Sequence, residues 1–187
     1  MPIQKTNRAE ILYRAAGLFR RQGYFNTSMS DLAKECGLYK GSFYHYFPSK
    51  ESILFEIVRE SSHYLHQQVF IIAYDETLTP KDRLHVFLKK ISAELFEQGG
   101  ACLIGKTTFE SANYDSELSV LLKGIFDGWI AALTYIYGKH HYEDKAKRFA
   151  LQTIMELEGA GMLAQIYKEE DILQDAHGRA MMRLTID

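Results

Sequence analysis

A chain of 187 residues, 47% hydrophobic and 25% charged, can bury a core without covalent staples, and this composition excludes disordered, collagenous and fibrous classes. Its net charge of -2 hides an asymmetry: residues 1–50 carry +5 and residues 51–187 carry -7, as in a small basic head that approaches an anionic polymer and a larger acidic body that does not. With two cysteines (Cys36 and Cys102) outside any CxxC spacing, no secretory leader, and Lys123 and Asp127 breaking the densest apolar run, a disulfide scaffold, a structural zinc site and a membrane span are not expected, and the setting is cytoplasmic.

Apolar periodicity is helical almost throughout, only four valines occur, and the three prolines stand at positions 2, 48 and 80, which predicts an all-α fold. Asn7, three residues before Glu10, resembles a capping box, and Ile11, Leu12, Ala15, Ala16 and Phe19 share one face of a first helix that stops at Gly23. Ser28 and Asp31 make a second box. They open a two-turn helix with Met29, Leu32, Ala33 and Cys36 inward and Gly37 after its end. A third short helix spans 40–46, and Pro48 and Ser49 open a long connecting helix over 49–74 with Leu54, Ile57, Val58, Leu65 and Val69 on one side. Helices two and three are too short to stand alone and must pack against one and four. Thr79, Pro80 and Asp82 start a fifth helix that runs to the Gly99–Gly100 break. A poorer helix covers 102–112, where Gly105, Thr107 and Thr108 lower propensity. The periodic segments 116–137 and 143–167 and a last helix near 171–184 bring the total to about nine.

Two short helices joined by a tight glycine turn within a basic segment describe a helix-turn-helix, whose second helix enters the DNA major groove. On that helix Phe43, Tyr46 and Phe47 fall on one side and Gly41, Ser42 and His45 on another, so one face packs and the other reads. Gly41 and Ser42 permit close approach to base edges, where Ser42 and His45 can hydrogen-bond. Lys40 and Tyr44 on the flank, and Lys50 in the first turn of helix four, are placed to meet phosphates. Thr27 and Ser28, at a helix start, contribute likewise. The competing reading of the same spacing is an ordinary helical hairpin with an aromatic core and a solvated basic face.

Residues 27–54 resemble the DNA-binding signature of the tetracycline-repressor (TetR) family of bacterial regulators. The likeness rests on Asp31-Leu32-Ala33, the Gly37 turn, the run from Lys40 to Phe47, and Ser49-Lys50-Glu51. Tyr39 departs from it, since the family more often has Ser or Thr there, and a hydroxyl cap for the reading helix is lost. The division that follows is a DNA-binding head over 1–48 and a helical ligand-binding and dimerisation body over 49–187. The resemblance implies a homodimer that holds a double-stranded palindromic operator and lets go when a small-molecule inducer fills a pocket in the body.

In the body, Leu118, Leu122, Ile125, Trp129, Leu133 and Ile136 form one seam, and Ala146, Ala150, Ile154, Leu157, Gly161 and Ala164 form another. Such seams suit either a four-helix dimer interface or the core of the monomer. Phe87, Phe96, Phe109, Tyr114, Phe126 and Trp129, together with His63, are candidates for lining an inducer pocket, set against a plain aromatic core. Cys102, near the start of the weak sixth helix, is a candidate sensing thiol because a helix N-terminus lowers a thiol pKa, whereas Cys36 packs. Two rival classes are a ligand-binding bundle without DNA activity and a di-iron carboxylate enzyme. For the latter, Glu60–His63 reproduces the ExxH spacing and Asp82–His85 imitates it, with His66, His140 and His141 as further imidazoles. Such a centre needs two more inward acids, and pairs of this spacing arise by chance among seven histidines and 24 acids. No nucleophile elbow, P-loop or HExxH motif is present, so neither enzyme activity nor a metal or cofactor is expected.

Overall fold

Local capping chemistry sets the helix boundaries in the first third of the chain. In the computed structural model, which describes residues 7–96, 102–111 and 116–185, Asn7 accepts the Glu10 N–H at 2.8 Å to open α1 (Arg8–Gln22). Gly23, at φ +83°, closes it by donating its N–H to Phe19 O. Ser28 and Asp31 exchange both bonds of a capping box at the start of α2 (Met29–Glu35). Gly37, at φ +67°, supplies the left-handed turn, and the Leu38 N–H returns to Ala33 O at 2.9 Å. A helix α3 (Lys40–Tyr46) follows from Tyr39, whose side chain makes no cap bond, and a reciprocal Ser49–Ser52 box opens α4 (Lys50–Tyr64).

The connecting helix expected over 49–74 changes character at its far end. Beyond Tyr64 the chain widens into a π-helical turn, Leu65–Val69, and then tightens into a 3₁₀ segment, Phe70–Tyr74. Burial explains the change. In an unbroken α-helix Leu65 and Phe70 would lie about 140° apart on the circumference, yet both are buried, at 1% and 3% exposure. The π turn aligns residues five apart, with the Phe70 N–H on Leu65 O. Gly128 accommodates this bulge, since a Cβ there would meet His66 Nε2 at 2.6 Å.

The remaining helices are α5 (Pro80–Phe96), α6 (Leu103–Ser111), α7 (Ser116–Tyr137), α8 (Glu143–Tyr167) and α9 (Asp171–Met182), and no strand occurs among the described residues. Head and body share one continuous apolar core, in which Phe19, Leu32, Phe43, Phe47 and Ile53 fill the head and Phe87, Trp129, Leu133, Tyr137 and Leu157 the body. Both seams proposed above for a dimer interface lie mostly in this interior. Leu122, Ile125, Trp129, Leu133 and Ile136 of α7 are buried, as are Ala146, Ala150, Ile154, Leu157 and Gly161 of α8. They turn inward because α7 and α8 pack along each other and α8 packs on α9. The outer face of α8 carries Leu151, Met155, Met162 and Ile166 instead, exposed by 41% to 65%.

Glu117–Tyr137 is long and apolar enough to cross a bilayer by length and composition, with a mean hydropathy of 1.3. The two charges that interrupt it, Lys123 and Asp127, stand one helical turn apart and pair at 2.5 Å. In the fold this helix lies against α8 and α4.

Candidate nucleic-acid interface

The reading helix α3 divides as its spacing requires. Phe43 and Phe47 are fully buried with ring centroids 5.9 Å apart, and Arg8 of α1 covers Phe47 at 4.4 Å while donating to Tyr46 O. Arg8 also pairs with Glu56 of α4, so α1, α3 and α4 are pinned at one corner. With its packing face so fixed, α3 presents Lys40, Gly41, Ser42, Tyr44 and His45 outward, all exposed. A Cβ added at Gly41 would meet nothing within 4 Å, so no neighbour in the free protein demands glycine there.

Three flanking positions behave differently from one another. Ser28 is exposed, and its hydroxyl is engaged with Asp31 in the capping box. Lys50 is half-buried; its ammonium donates to Tyr24 O at 2.7 Å and sits 4.2 Å from the Tyr24 ring centroid. Thr27 corrects the expectation of a DNA contact: it is 1% exposed and its hydroxyl donates to Gly23 O at 2.6 Å, so it braces the α1–α2 turn from within.

Tyr24 was not singled out by spacing, yet head and body meet at it. Its hydroxyl donates to Glu51 of α4 at 2.8 Å and its backbone N–H to Glu110 of α6 at 3.1 Å. One turn away, Lys106 of α6 donates to Arg20 O. A Gly-Tyr pair after a helix carries no local sign of such a role, because its partners lie 27 and 86 residues away.

The pocket candidates scatter. Phe87 is buried and stacks on Phe70 at 6.1 Å, and Trp129 is 2% exposed and stacks on the half-buried Phe126 at 6.2 Å, so all three contribute to the core. Phe109 is 88% exposed and His63 is exposed, which removes both from any enclosed lining. They occupy outward positions on α6 and α4, whose inner faces are taken by other residues. Tyr114 and the Phe96 side chain lie outside the described residues.

Cys102 overturns the expectation of an activated thiol. It is 3% exposed, and burial first, then the adjacent Glu158 carboxylate, push its pKa well above the ordinary thiol value, against the backbone N–H groups of Gly105 and Ile104. Among the described residues no group of three or more His, Cys, Asp or Glu side chains converges as a metal set, and His63, Asp82 and His85 all face outward.

A cavity of about 360 Å³ opens instead at the seam between head and body, where Tyr24, the first half of α4, α6 and the start of α7 meet. Its lining combines the apolar Leu54, Phe55 and Leu118 with the carboxylates of Glu51, Glu110 and Glu117.

With this geometry in hand, the chain can be set beside known proteins. Residues 11–57 match the family described as "Bacterial regulatory proteins, tetR family", and residues 80–179 match "Transcriptional regulator LmrA/YxaF-like, C-terminal domain". The HTH-type transcriptional regulator YxaF of Bacillus subtilis is 27% identical over 178 residues, covering 91% of each chain. LmrA of the same organism is 35% identical over 89 residues, 47% of each chain. A TetR transcriptional regulator from Legionella pneumophila superposes with a TM-score of 0.84 at 22% identity, over 97% of this chain and 98% of that one, a likeness of fold. The exposed α3 face on a buried aromatic base and the two successive family matches have one consequence: this chain belongs to the TetR family of bacterial helix-turn-helix transcriptional regulators.

Proposed function

We propose that this regulator is a cytoplasmic, homodimeric repressor whose two heads hold a palindromic operator and which a small-molecule inducer releases. The observation that carries the reading is the division of α3: Phe43 and Phe47 are wholly buried while Lys40, Gly41, Ser42, Tyr44 and His45 are exposed together. In the proposed complex Ser42 and His45 meet base edges, Gly41 lets the helix approach them, and Lys40, Tyr44 and Ser28 meet phosphates. Lys50, held on Tyr24, adds positive field near the backbone rather than a free contact. Two copies joined through the body give the twofold symmetry that a palindrome mirrors.

Release follows as a population shift. An inducer that binds better to a head spacing unable to span both half-sites lowers operator affinity by the coupling free energy, typically about 1–3 kcal/mol.

Footprinting beside its own coding region, followed by anisotropy titrations of that duplex, tests the reading. Affinity should fall steeply with salt; Lys40→Ala and Tyr44→Phe should weaken binding to all sequences, whereas Ser42→Ala and His45→Ala should relax preference at single positions. A protein that ignores every duplex at low ionic strength, or whose base preference is untouched by both substitutions, refutes it.

A further inference from the structure

We propose that the cavity at the head–body seam is a binding site for a lipophilic organic cation, and that its occupancy competes for a contact that holds the head. The second half of this statement rests on the regulator reading above; the first does not.

The apolar and the acidic lining of the cavity point to the same chemistry. Leu54, Phe55 and Leu118 offer an apolar surface, and about 360 Å³ is the size of an ordinary small-molecule pocket. The charged lining is almost of one sign: Glu51, Glu56, Glu110 and Glu117 against Arg59 alone. Arg59 leans on Glu60 at 3.6 Å, and Glu56 is answered by Arg8. Glu51 and Glu110 accept from neutral donors, the phenol and the backbone N–H of Tyr24, and neither forms an ion pair within 4 Å among the described residues, although Lys50 draws on Glu51 at longer range and the Lys106 ammonium lies near Glu110, so the negative charge of the lining is reduced without being cancelled. The Glu51 backbone N–H first, then the Tyr24 hydroxyl, with smaller help from Ser49 and the Lys50 charge, hold the Glu51 carboxyl below its ordinary value and hence ionised. Low-dielectric walls beside fixed carboxylates concentrate a negative potential. A cation whose charge is spread over an apolar body meets both surfaces with little desolvation; an anion of the same shape meets repulsion.

The coupling follows from shared residues. Tyr24 and Glu110 line the cavity and are also the two ends of a head–body bond. A cation seated among the carboxylates draws Glu110 from the Tyr24 N–H and loosens that end of the head. A ligand acts on a conformational equilibrium only through such a difference in contacts between two states.

Calorimetric titration of the full chain with tetraphenylphosphonium, and with tetraphenylborate as its anionic counterpart of the same shape, tests the site without DNA. The cation should bind once per chain and the borate at least about ten-fold more weakly. Glu117→Gln, which leaves both Tyr24 bonds in place, should weaken the cation roughly three-fold, the Coulomb effect of one partly solvated charge, and Leu118→Trp should block it. Circular dichroism confirms that the variants fold; should Leu118→Trp not fold, Glu117→Gln decides. Equal binding of the two ions, or cation affinity unmoved by these substitutions, overturns the site. Duplex affinity measured with saturating phosphonium then tests the coupling: a loss supports it, and an unchanged affinity overturns it while the site stands. A protein that binds no duplex at all refutes the regulator reading, and the calorimetry still judges the cavity.

Discussion

The hydroxyl of Thr27 donates to the carbonyl of Gly23 at 2.6 Å, inside the turn that joins the first two helices of the head. Gly23 holds φ at +83°, so its carbonyl is aimed by a conformation few residues adopt, and Thr27 at 1% exposure is the side chain that satisfies it. Thr27→Val keeps the shape and removes the donor. Chemical denaturation should show a loss of about 1–2 kcal/mol, the cost of a buried unpaired acceptor. A variant as stable as the parent would show that the bond contributes nothing.

Gly41 separates stability from DNA binding. It lies in the first turn of α3, exposed, with open space where a Cβ would go. Gly41→Ala should therefore stabilise the free protein, by up to about 1 kcal/mol from helix propensity, while lowering operator affinity because the added methyl stands between the helix and base edges. Paired melting and anisotropy measurements check it. Stability and affinity rising together would remove Gly41 from the interface.

Tyr39 begins the same helix without a capping bond and is 86% exposed. Tyr39→Ser supplies a hydroxyl within reach of the free N–H groups of the first turn and should stabilise the head by roughly 0.5–1 kcal/mol. The same substitution removes a phenol from the edge proposed to face the operator, so operator affinity reports separately whether that ring touches the duplex. Failure of the head to gain stability would mean that the α3 N-terminus is already satisfied by other means.

The head was legible in sequence because its determinants are local. The Ser28–Asp31 box, the Gly37 turn, the Phe43–Phe47 spacing and the helix start at Ser49 each act within four residues, and each stands where the pattern puts it. The body's chemistry was not legible, because it is decided at a distance. Helix-end electrostatics alone would activate Cys102, but Glu158, 56 positions on, closes over it, and Gly105 permits the approach, since a Cβ there would meet Glu158 Oε2 at 2.7 Å. The seams on α7 and α8 fit two partners equally well by periodicity, and only the packing of α8 on α7 and α9 settles which side is the core.

Glu158 itself should leave a signature in the pH dependence of stability. Burial raises its carboxyl above the ordinary value of 4.5, outweighing a bond with Cys102 that lowers it, and Oε1 is buried without a hydrogen-bond partner. An acid whose folded pKa lies above its unfolded one holds its proton longer in the folded state. Stability therefore falls as pH rises from the unfolded value through the folded one, and the full penalty is present above both. Glu158→Gln keeps the shape without the charge. Its advantage over the parent should be absent below the ordinary carboxyl range and grow as pH rises through it. Thermal unfolding from acid to neutral pH measures this, and parallel curves for the two proteins would refute it.

The outer face of α8 should carry the dimer contact. Leu151, Met155, Met162 and Ile166 fall at offsets of four, seven and four, a spacing that lines one side of a helix, and they are exposed in the single chain although apolar. Gly159, between Met155 and Met162, has open space around its missing Cβ, which allows a neighbouring helix to come close. Two copies related by a twofold axis would bring each stripe against its own counterpart. Met155→Glu then sets a carboxylate near its like-charged twin in a desolvated contact, which costs far more than a solvated pair of acids. Sedimentation should find the parent dimeric and the variant monomeric. Because Met155 is 64% exposed in the monomer, helical content should be unchanged. Operator affinity should collapse in parallel, since one head alone engages one half-site. A Met155→Glu protein that still sediments as a dimer would place the twofold contact elsewhere.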